Sequence, residues 1–548
     1  MNLLQLFSLI PIVVVMAAMV KFQKSTRVSM LLGCAAACAV AWIQGTDLVF
    51  FQTGAIVLAT VSENWGLFLS LLVFGMLVYT MTRSQAAAGL EHVVTCLVSS
   101  RFMFVVLLLL SCVLFSVDDY LACIFVCMSL TACGRRFGLA SARIAVLVNM
   151  IVAGICALIP YSTWAPVIHG ALVEGGAVSA GWRSFAFFPV VNILLVLGYG
   201  IFTSFHRGHA AGQTLSDTCS AACASEYIIG KDNHSFGYSI EKSCHTSAQG
   251  PNISGCRRAL TRADCLSVAA ILLSAGTLVG TFCICNLTGV SNGLLLAACV
   301  SLLVTVVSYT VFGFIRPVGL RPAFREGLKT MGDLDLTLIS IWTFTGLMNQ
   351  VLHVNSLIVT LLYMFQVPVW ILPALYFIVS ALFGYFTGSS FASFRLMIPL
   401  AAAAAVLLEG DAASLLIGAA VSGSLFASVS MTSDTLVLSV KGTGCAFKEA
   451  FALQTRYAIC TFVICTIAYL MAGACITSFG STYSVVLSFV IILVAAAGVS
   501  LLFMMRAVTA SPGTAANETE TAPDNMTTQP LAPEETAAFT ESTASEEV

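Results

Sequence analysis

Apolar runs of about the length of a membrane crossing recur along nearly the whole chain, near 3–21, 27–46, 65–83, 183–205, 266–285, 291–315, 334–352, 454–477 and 481–504. Roughly twenty apolar residues span the hydrocarbon of a bilayer as a helix. Each run is continuous rather than alternating, which predicts helices and not the strands of a β-barrel. Four regions are patterned differently. Residues 102–132 and 367–405 are long apolar stretches broken in the middle by polar residues, and so are 141–178 and 412–447. The stretch 355–366 is too short to span and is expected in the interface. The segment 47–61 is ambiguous, with parity asking that it not cross fully. Residues 206–264 read as a polar loop, and 506–548, rich in Thr, Glu, Ala and Pro, as a disordered acidic tail. Residues 3–21 lack the basic start and small-residue cleavage site of a signal peptide and read as a helix that stays.

Composition narrows the class. Of 548 residues, 59% are hydrophobic and 9% charged, where a soluble domain is about a quarter charged. So few charges cannot cover a water-exposed surface of this size, which excludes a soluble enzyme and a nucleic-acid binder and leaves an all-α polytopic membrane protein. Most of the 20 Cys lie inside apolar runs, as at Cys34, Cys38, Cys123 and Cys465, where they act as small hydrophobes. Cys219, Cys223, Cys244, His245 and Cys256 in the polar loop do not have the spacing of a zinc site.

Lys and Arg set the orientation. One arrangement gathers Lys21, Lys24, Arg27, Arg83, Arg101, Arg135, Arg136 and Arg143 with the basic residues of the 206–264 loop. Arg316, Arg321, Arg325, Lys329, Lys441, Lys448, Arg456 and Arg506 fall on the same side. That side is the cytoplasm of a multi-pass plasma-membrane protein (the inner membrane of a cell with two), and only Arg183 falls clearly outside it. Arg101 and Arg135 flank 102–132 on one side, so this stretch is expected to be a re-entrant hairpin. The stretch 367–405 is flanked by Gln366, Glu409 and Asp411 and is expected to enter from outside.

The polar breaks repeat. Asp118 and Ser389 are 271 positions apart, as are Thr163 and Asp434, and Gly75 and Gly346. The charge-based orientations of the paired spans are opposite, so the repeats are inverted, with a site expected near the midplane where they meet, as in secondary transporters. The organisation expected is a first repeat over 1–205 (hairpin 102–132, broken helix 141–178), the loop 206–264, and a second repeat over 265–480 (hairpin 367–405, broken helix 412–447). An extra transmembrane helix at 481–505 and the tail 506–548 complete the chain.

Broken helices expose backbone carbonyls and amides, tolerated in lipid only where protein or a water cavity covers them. Ser116, Asp118, Asp119, Ser162 and Thr163 supply further oxygens from the first repeat. Thr387, Ser389, Ser390, Ser433, Asp434 and Thr435 supply them from the second, and Gly388 suits a tight tip. Asp118, Asp119 and Asp434 are costly in a membrane and are read as functional, as binders of a proton or a Na⁺ ion. The bland alternative is that they cap half-helices. A carboxylate that takes either a proton or a hard cation, but not both, is sufficient for exchange. His169, six residues after Thr163, is a packing residue or a proton relay. Glu174 reads as a solvated interfacial group.

At these residues the chain resembles the NhaC-type sodium/proton antiporter family of the ion-transporter superfamily. Thr387-Gly388-Ser389-Ser390-Phe391-Ala392-Ser393-Phe394 with Pro399 is similar to its TGSSWGT segment. Ser430, Ser433-Asp434-Thr435 and Leu438-Ser439 are similar to its SPISDTT-LS segment, followed by Gln454 and Tyr457. Asp118-Asp119-Tyr120 and Ser162-Thr163-Trp164 resemble its FDDY and STW. The resemblance covers most of 60–480. It implies a non-enzymatic Na⁺/H⁺ antiporter with paired re-entrant hairpins and broken helices. No cofactor is expected beyond Na⁺ and H⁺ as transported ions. The partners are the lipid bilayer and, as often in this superfamily, a second copy of the chain. Two departures bear on the ion rather than the fold. Phe426-Ala427-Ser428-Val429 replaces a Gly-Asp-His or Gly-Asp-Asn run, and position 395, normally small or apolar, is Arg. Arg395 lies six residues after Ser389 and is expected either to pair with Asp118, Asp119 or Asp434, to hold a substrate carboxylate through a bidentate fork, or to snorkel to an interface. The alternative function is therefore a coupled exchanger or symporter of a small organic anion, a carboxylate or an amino acid.

Overall fold

The computed structural model describes residues 3–21, 25–160, 162–206, 260–290, 292–405 and 412–479, with the single positions 491, 494 and 498. The loop between 207 and 259, most of the helix expected at 481–505 and the tail expected at 506–548 lie outside the described residues. The principal helices of the first half are α1 (Ile10–Val20), α2 (Thr26–Ile43), α3 (Val49–Thr82), α4 (Ala86–Leu97), α5 (Arg101–Phe115), α6 (Asp119–Arg136), α7 (Ser141–Leu158), α8 (Trp164–Glu174) and α9 (Phe187–His206). Those of the second half are α10 (Arg262–Thr288), α11 (Gly293–Val311), α12 (Pro317–Gly346), α13 (Val354–Met364), α14 (Leu372–Thr387), α15 (Ser390–Ala404), α16 (Ala412–Ser424), α17 (Asp434–Thr443) and α18 (Phe447–Phe479). Among the described residues there is no strand, and eight helices are long and apolar enough to cross a membrane. The protein is an all-α polytopic membrane protein.

The breaks fall where the sequence is polar. The apolar stretch 102–132 splits into α5 and α6 at Ser116–Asp118, and 367–405 splits into α14 and α15 at Gly388–Ser389. Gly388 closes α14 in the left-handed conformation, φ 63°, which a residue with a Cβ rarely adopts. The stretch 141–178 breaks into α7 and α8. The stretch 412–447 breaks into α16, a 3₁₀ segment Leu425–Val429 and α17.

The ambiguous segment 47–61 is helical and runs directly into the span after it. The 34 residues of α3 would measure about 51 Å if straight, more than the roughly 30 Å hydrocarbon core, and Asn64 interrupts the helix with φ −114°, ψ 15°. Its side-chain amide donates to Thr60 O at 3.0 Å, satisfying a carbonyl at the kink. Helix α12 ends in a π-helical turn, Leu347–Val351. The chain then bends 59° into α13, the short helix expected at 355–366.

Helices α3 and α12 cross with their backbones in contact. A Cβ on Gly75 would lie 2.5 Å from Gly327 O, and one on Gly346 would lie 2.6 Å from an Ile56 side-chain carbon. Moving Gly75 forward and Gly327 back by 271 positions gives Gly346 and Ile56, so the two contacts are a swapped pair. Whole-helix packing repeats the pattern: α6 lies on α17 as α15 lies on α8, and α2 lies on α12 as α11 lies on α3.

Candidate functional site

Four half-helices, α6, α8, α15 and α17, start at one place, so their N-terminal backbone amides and the positive ends of their dipoles meet there. Side chains cap three of them: Leu121 N donates to Asp118 Oδ1 at 2.9 Å, Ala392 N to Ser389 Oγ at 3.3 Å and Leu436 N to Ser433 Oγ at 3.3 Å. The first residues of α6 and α17 are Asp119 and Asp434, while α8 and α15 carry no acid in their first turn.

These ends form the floor of a cavity of about 1000 Å³. Of the residues singled out in the sequence, Asp119, Ser389, Ser390, Ser433, Asp434 and Thr435 line it. Asp119 is 2% exposed, and its Oδ1 atom is buried without a hydrogen-bond partner. Asp434 is exposed, and its Oδ2 atom accepts the Tyr120 hydroxyl at 3.3 Å. That hydrogen bond joins the halves of the chain across the floor. The Tyr120 hydroxyl also lies in the field of Asp118 and Asp119. From the floor the cavity runs to a mouth of Arg27, Arg325, Glu326, Lys329, Asp333 and Lys441. Arg27 pairs with Asp333 and Arg83 with Glu326, both at 3.0 Å.

The other candidates support the floor from behind. Asp118 is turned into the protein, where it caps α6 and accepts the Thr163 hydroxyl at 3.4 Å. Thr163 N donates to Val117 O at 2.8 Å, tying the break before α8 to the break before α6. The Ser162 hydroxyl donates to Cys156 O at 2.6 Å, and that of Thr387 to Gly384 O at 3.2 Å. The buried Cys156 thiol donates to Ser116 O at 3.2 Å. Among the described residues no three His, Cys, Asp or Glu side chains cluster as a metal cage. The structure thus brings Asp119 and Asp434 to the cavity and sets Asp118 behind it as the cap of α6.

Arg395 meets a different carboxylate from the three expected to pair with it. Its guanidinium pairs with Glu174 of α8 at 3.3 Å, lies 4.5 Å from the Trp342 ring centroid and feels the Glu63 carboxylate. No ion pair joins it to Asp118, Asp119 or Asp434 among the described residues, and it is not in the cavity lining. The reason is direction. Six residues along α15 carry it about 9 Å from the capping Ser389, into apolar surroundings where a guanidinium needs a counter-charge. Glu174, expected as a solvated surface group, supplies that charge and accepts the Asn349 amide at 2.8 Å. His169 is exposed on α8 and does not line the cavity.

Thr432 was missed in the sequence, Tyr120 and Trp164 were noted only as motif neighbours and Lys441 only for orientation, yet all four line the cavity. The signal for Lys441 was available: it lies seven residues after Asp434, two turns along the same face of α17. Trp164 packs edge-on against Phe391 at 6.0 Å and Phe394 at 5.5 Å. Behind the break before α17, Asn149 donates to Ser428 O at 2.9 Å and to Gln454 Oε1 at 2.8 Å, and Gln454 donates to Ser428 O at 3.1 Å. These bonds satisfy a carbonyl that the 3₁₀ segment leaves over.

A protein of Haemophilus influenzae described as uncharacterized is 25% identical over 173 residues, 31% of this chain and 32% of that relative. The aligned stretch thus spans about a third of the relative's length. Residues 256–474, which hold α15, α17 and the second half of the floor, match the model of the Na⁺/H⁺ antiporter family. The match covers part of the second half of a chain whose helices are those of a multi-pass membrane protein.

Proposed function

We propose that this protein exchanges Na⁺ for H⁺ across the plasma membrane, the two ions competing for Asp119 and Asp434. The observation that carries the reading is the pair of carboxylates at the N-terminal ends of α6 and α17, on the floor of one cavity. The helix ends stabilise the ionised carboxylates. Ser389, Ser390, Ser433 and Thr435 add the neutral oxygens that replace a cation's hydration shell. A carboxylate holding a proton has lost the charge that holds the cation, so loading one ion unloads the other.

The transport cycle in this reading rests on two inverted repeats with re-entrant hairpins α5–α6 and α14–α15. The swapped contacts Gly75–Gly327 and Gly346–Ile56 support the two-fold relation. The length of α5 supports the hairpin: its 15 residues reach about 22 Å, short of a crossing. Arg27, Arg325, Lys329 and Lys441 at the mouth support an opening to the cytoplasmic side. On the far side, Arg395 fills the equivalent space. The cavity residues Leu334 and Lys441 correspond, 271 positions back, to Glu63 and Gly170, and both of those flank the Arg395 guanidinium. The Arg395–Glu174 pair is then the outer closure of a cytoplasm-facing state. Within the antiporter family the motifs favour the NhaC type.

Proteoliposomes with an internal pH dye test the exchange directly. Added Na⁺ should move protons in the parent chain, with Li⁺ and K⁺ ranking selectivity, and should not do so in Asp434→Asn. Single cysteines beside Arg101 and Arg135 should both react with an impermeant thiol reagent from the cytoplasmic side; labelling from opposite sides would sink the hairpin. The second reading, coupled transport of a small organic anion, draws on Arg325, Lys329 and Lys441 at the mouth and on the acid-free ends of α8 and α15. Its first motive in the sequence, Arg395, is taken by Glu174. Uptake of labelled carboxylates without Na⁺-driven proton flux would select it.

A further inference from the structure

The N-terminal part of α12 carries two stripes at helical spacing. Arg321, Arg325 and Lys329 form one, and Leu320, Phe324 and Leu328 the other, each stepping by four residues along about 12 Å of helix. All three cations are exposed, and none forms an ion pair among the described residues. Arg321, Phe324, Arg325, Leu328 and Lys329 border a wide-open groove of about 820 Å³ whose surface is almost wholly apolar, the Arg and Lys stems included.

The internal repeat supplies a control for what this surface faces. Moved back by 271 positions, Arg321, Arg325 and Lys329 fall on Phe50, Gly54 and Leu58 of α3. There the corresponding stripe is apolar, with Phe50 79% and Leu58 71% exposed. An apolar face so exposed on a polytopic protein is covered by lipid. The fold therefore turns this face of the helix to the bilayer, and nothing in the helix packing requires cations on it. At the end of α12 they lie at headgroup depth, on the side where basic residues collect, with the apolar stripe beside them for acyl chains.

We propose that this face of α12 binds an anionic phospholipid, the three exposed cations holding its phosphate headgroup and the apolar groove beside them taking its acyl chains. The same site acts on the cavity. Arg325 and Lys329 line both the groove and the cavity mouth, and uncompensated they repel a cation entering from the cytoplasm. A seated phosphate cancels that field and draws cations in. This consequence rests on the cavity being the cation route; the lipid site itself rests only on the repeat and the orientation proposed above.

Two measurements separate them. Native mass spectrometry of the detergent-solubilised protein with added phosphatidylglycerol or phosphatidylcholine reads the site alone. The parent should retain phosphatidylglycerol, and R321Q/R325Q/K329Q should lose it, by roughly fivefold in affinity per cation removed. The milder Arg321→Lys, which keeps the charge and the fold, should retain it. Equal retention by parent and triple variant would overturn the site, whatever the protein transports. The second measurement is the KM for Na⁺, applied from the cytoplasmic face in phosphatidylcholine vesicles with and without phosphatidylglycerol. The bulk surface potential acts on parent and variant alike, so the site is the difference between them. The parent's KM should fall more steeply with phosphatidylglycerol than the variant's, and parallel curves would remove the link to the cavity. Inorganic phosphate in phosphatidylcholine vesicles is the remaining arm. If it reproduces the full fall in KM, the groove takes a free anion and the lipid assignment is wrong.

Discussion

The two ends of the molecule differ at equivalent positions. On the mouth side, α17 carries Lys441 into an open cavity, and the α15 residue Arg395 corresponds to Ile124 on α6, which packs beneath Gly442. On the other side Lys441 is replaced by Gly170, and Arg395 fills the room a larger residue would take, its Nη1 lying 3.0 Å from where a Cβ on Gly170 would stand. The positions matching Arg395 and Glu174 are Ile124 and Cys445, which cannot form an ion pair. The packing pairs are swapped between the two ends, and a few side chains differ at the matching positions. In the proposed cycle, an ion pair suits a closure that must also open. Its attraction is largely offset by the cost of desolvating two charges, so water entering the gap replaces what the pair loses.

Several substitutions would break or sharpen this contrast. The largest effect is expected at the floor the two ends share. Asp434→Asn or Asp119→Asn should reduce Na⁺-driven proton flux by more than about a hundredfold while the protein still purifies as a folded species, since an amide cannot exchange a proton for a cation; flux within a few-fold of the parent would remove that residue from the exchange. Next is the closure. With Arg395→Cys and Glu174→Cys combined in a background without other reactive thiols, a short bifunctional thiol crosslinker should stop exchange and a reductant should restore it. Undiminished exchange in the crosslinked protein would show that α8 and α15 need not part.

A smaller effect is expected at Tyr120. A hydrogen bond to a charged group is worth about 1.5–3 kcal/mol, and a cation arriving at Asp434 competes with the Tyr120 hydroxyl. Tyr120→Phe should therefore lower the KM for Na⁺ by roughly tenfold or more and leave selectivity among alkali ions in place. A raised KM would mean that the hydroxyl is a ligand and not a competitor. The smallest effect on transport is expected at Asp118. As a cap whose acceptor oxygen is what matters, its Asn variant should exchange at close to the parent rate, while Asp118→Ala should lower thermal stability by about 1 kcal/mol or more. If Asp118→Asn is as inactive as Asp434→Asn, the capping assignment is wrong.

The sequence by itself determined the helices and their breaks. These depend on local properties: about twenty apolar residues in a row have no other stable state in lipid, and Ser, Asp and Gly in the middle of such a run mark where a helix stops. Asp119, Asp434 and the hydroxyls beside them were legible for the same reason, because a polar group in a membrane is costly unless used. Only the tertiary structure decided how neighbouring residues divide the work. Asp118 and Asp119 are adjacent in the chain, yet one caps a helix inside the protein and the other faces the cavity, because successive residues at a helix start point in different directions. It also decided that Arg395 meets Glu174, two residues 221 positions apart in different halves of the chain. A half-buried charge in apolar surroundings needs a counter-charge, and which one it finds depends on the helices packed around it.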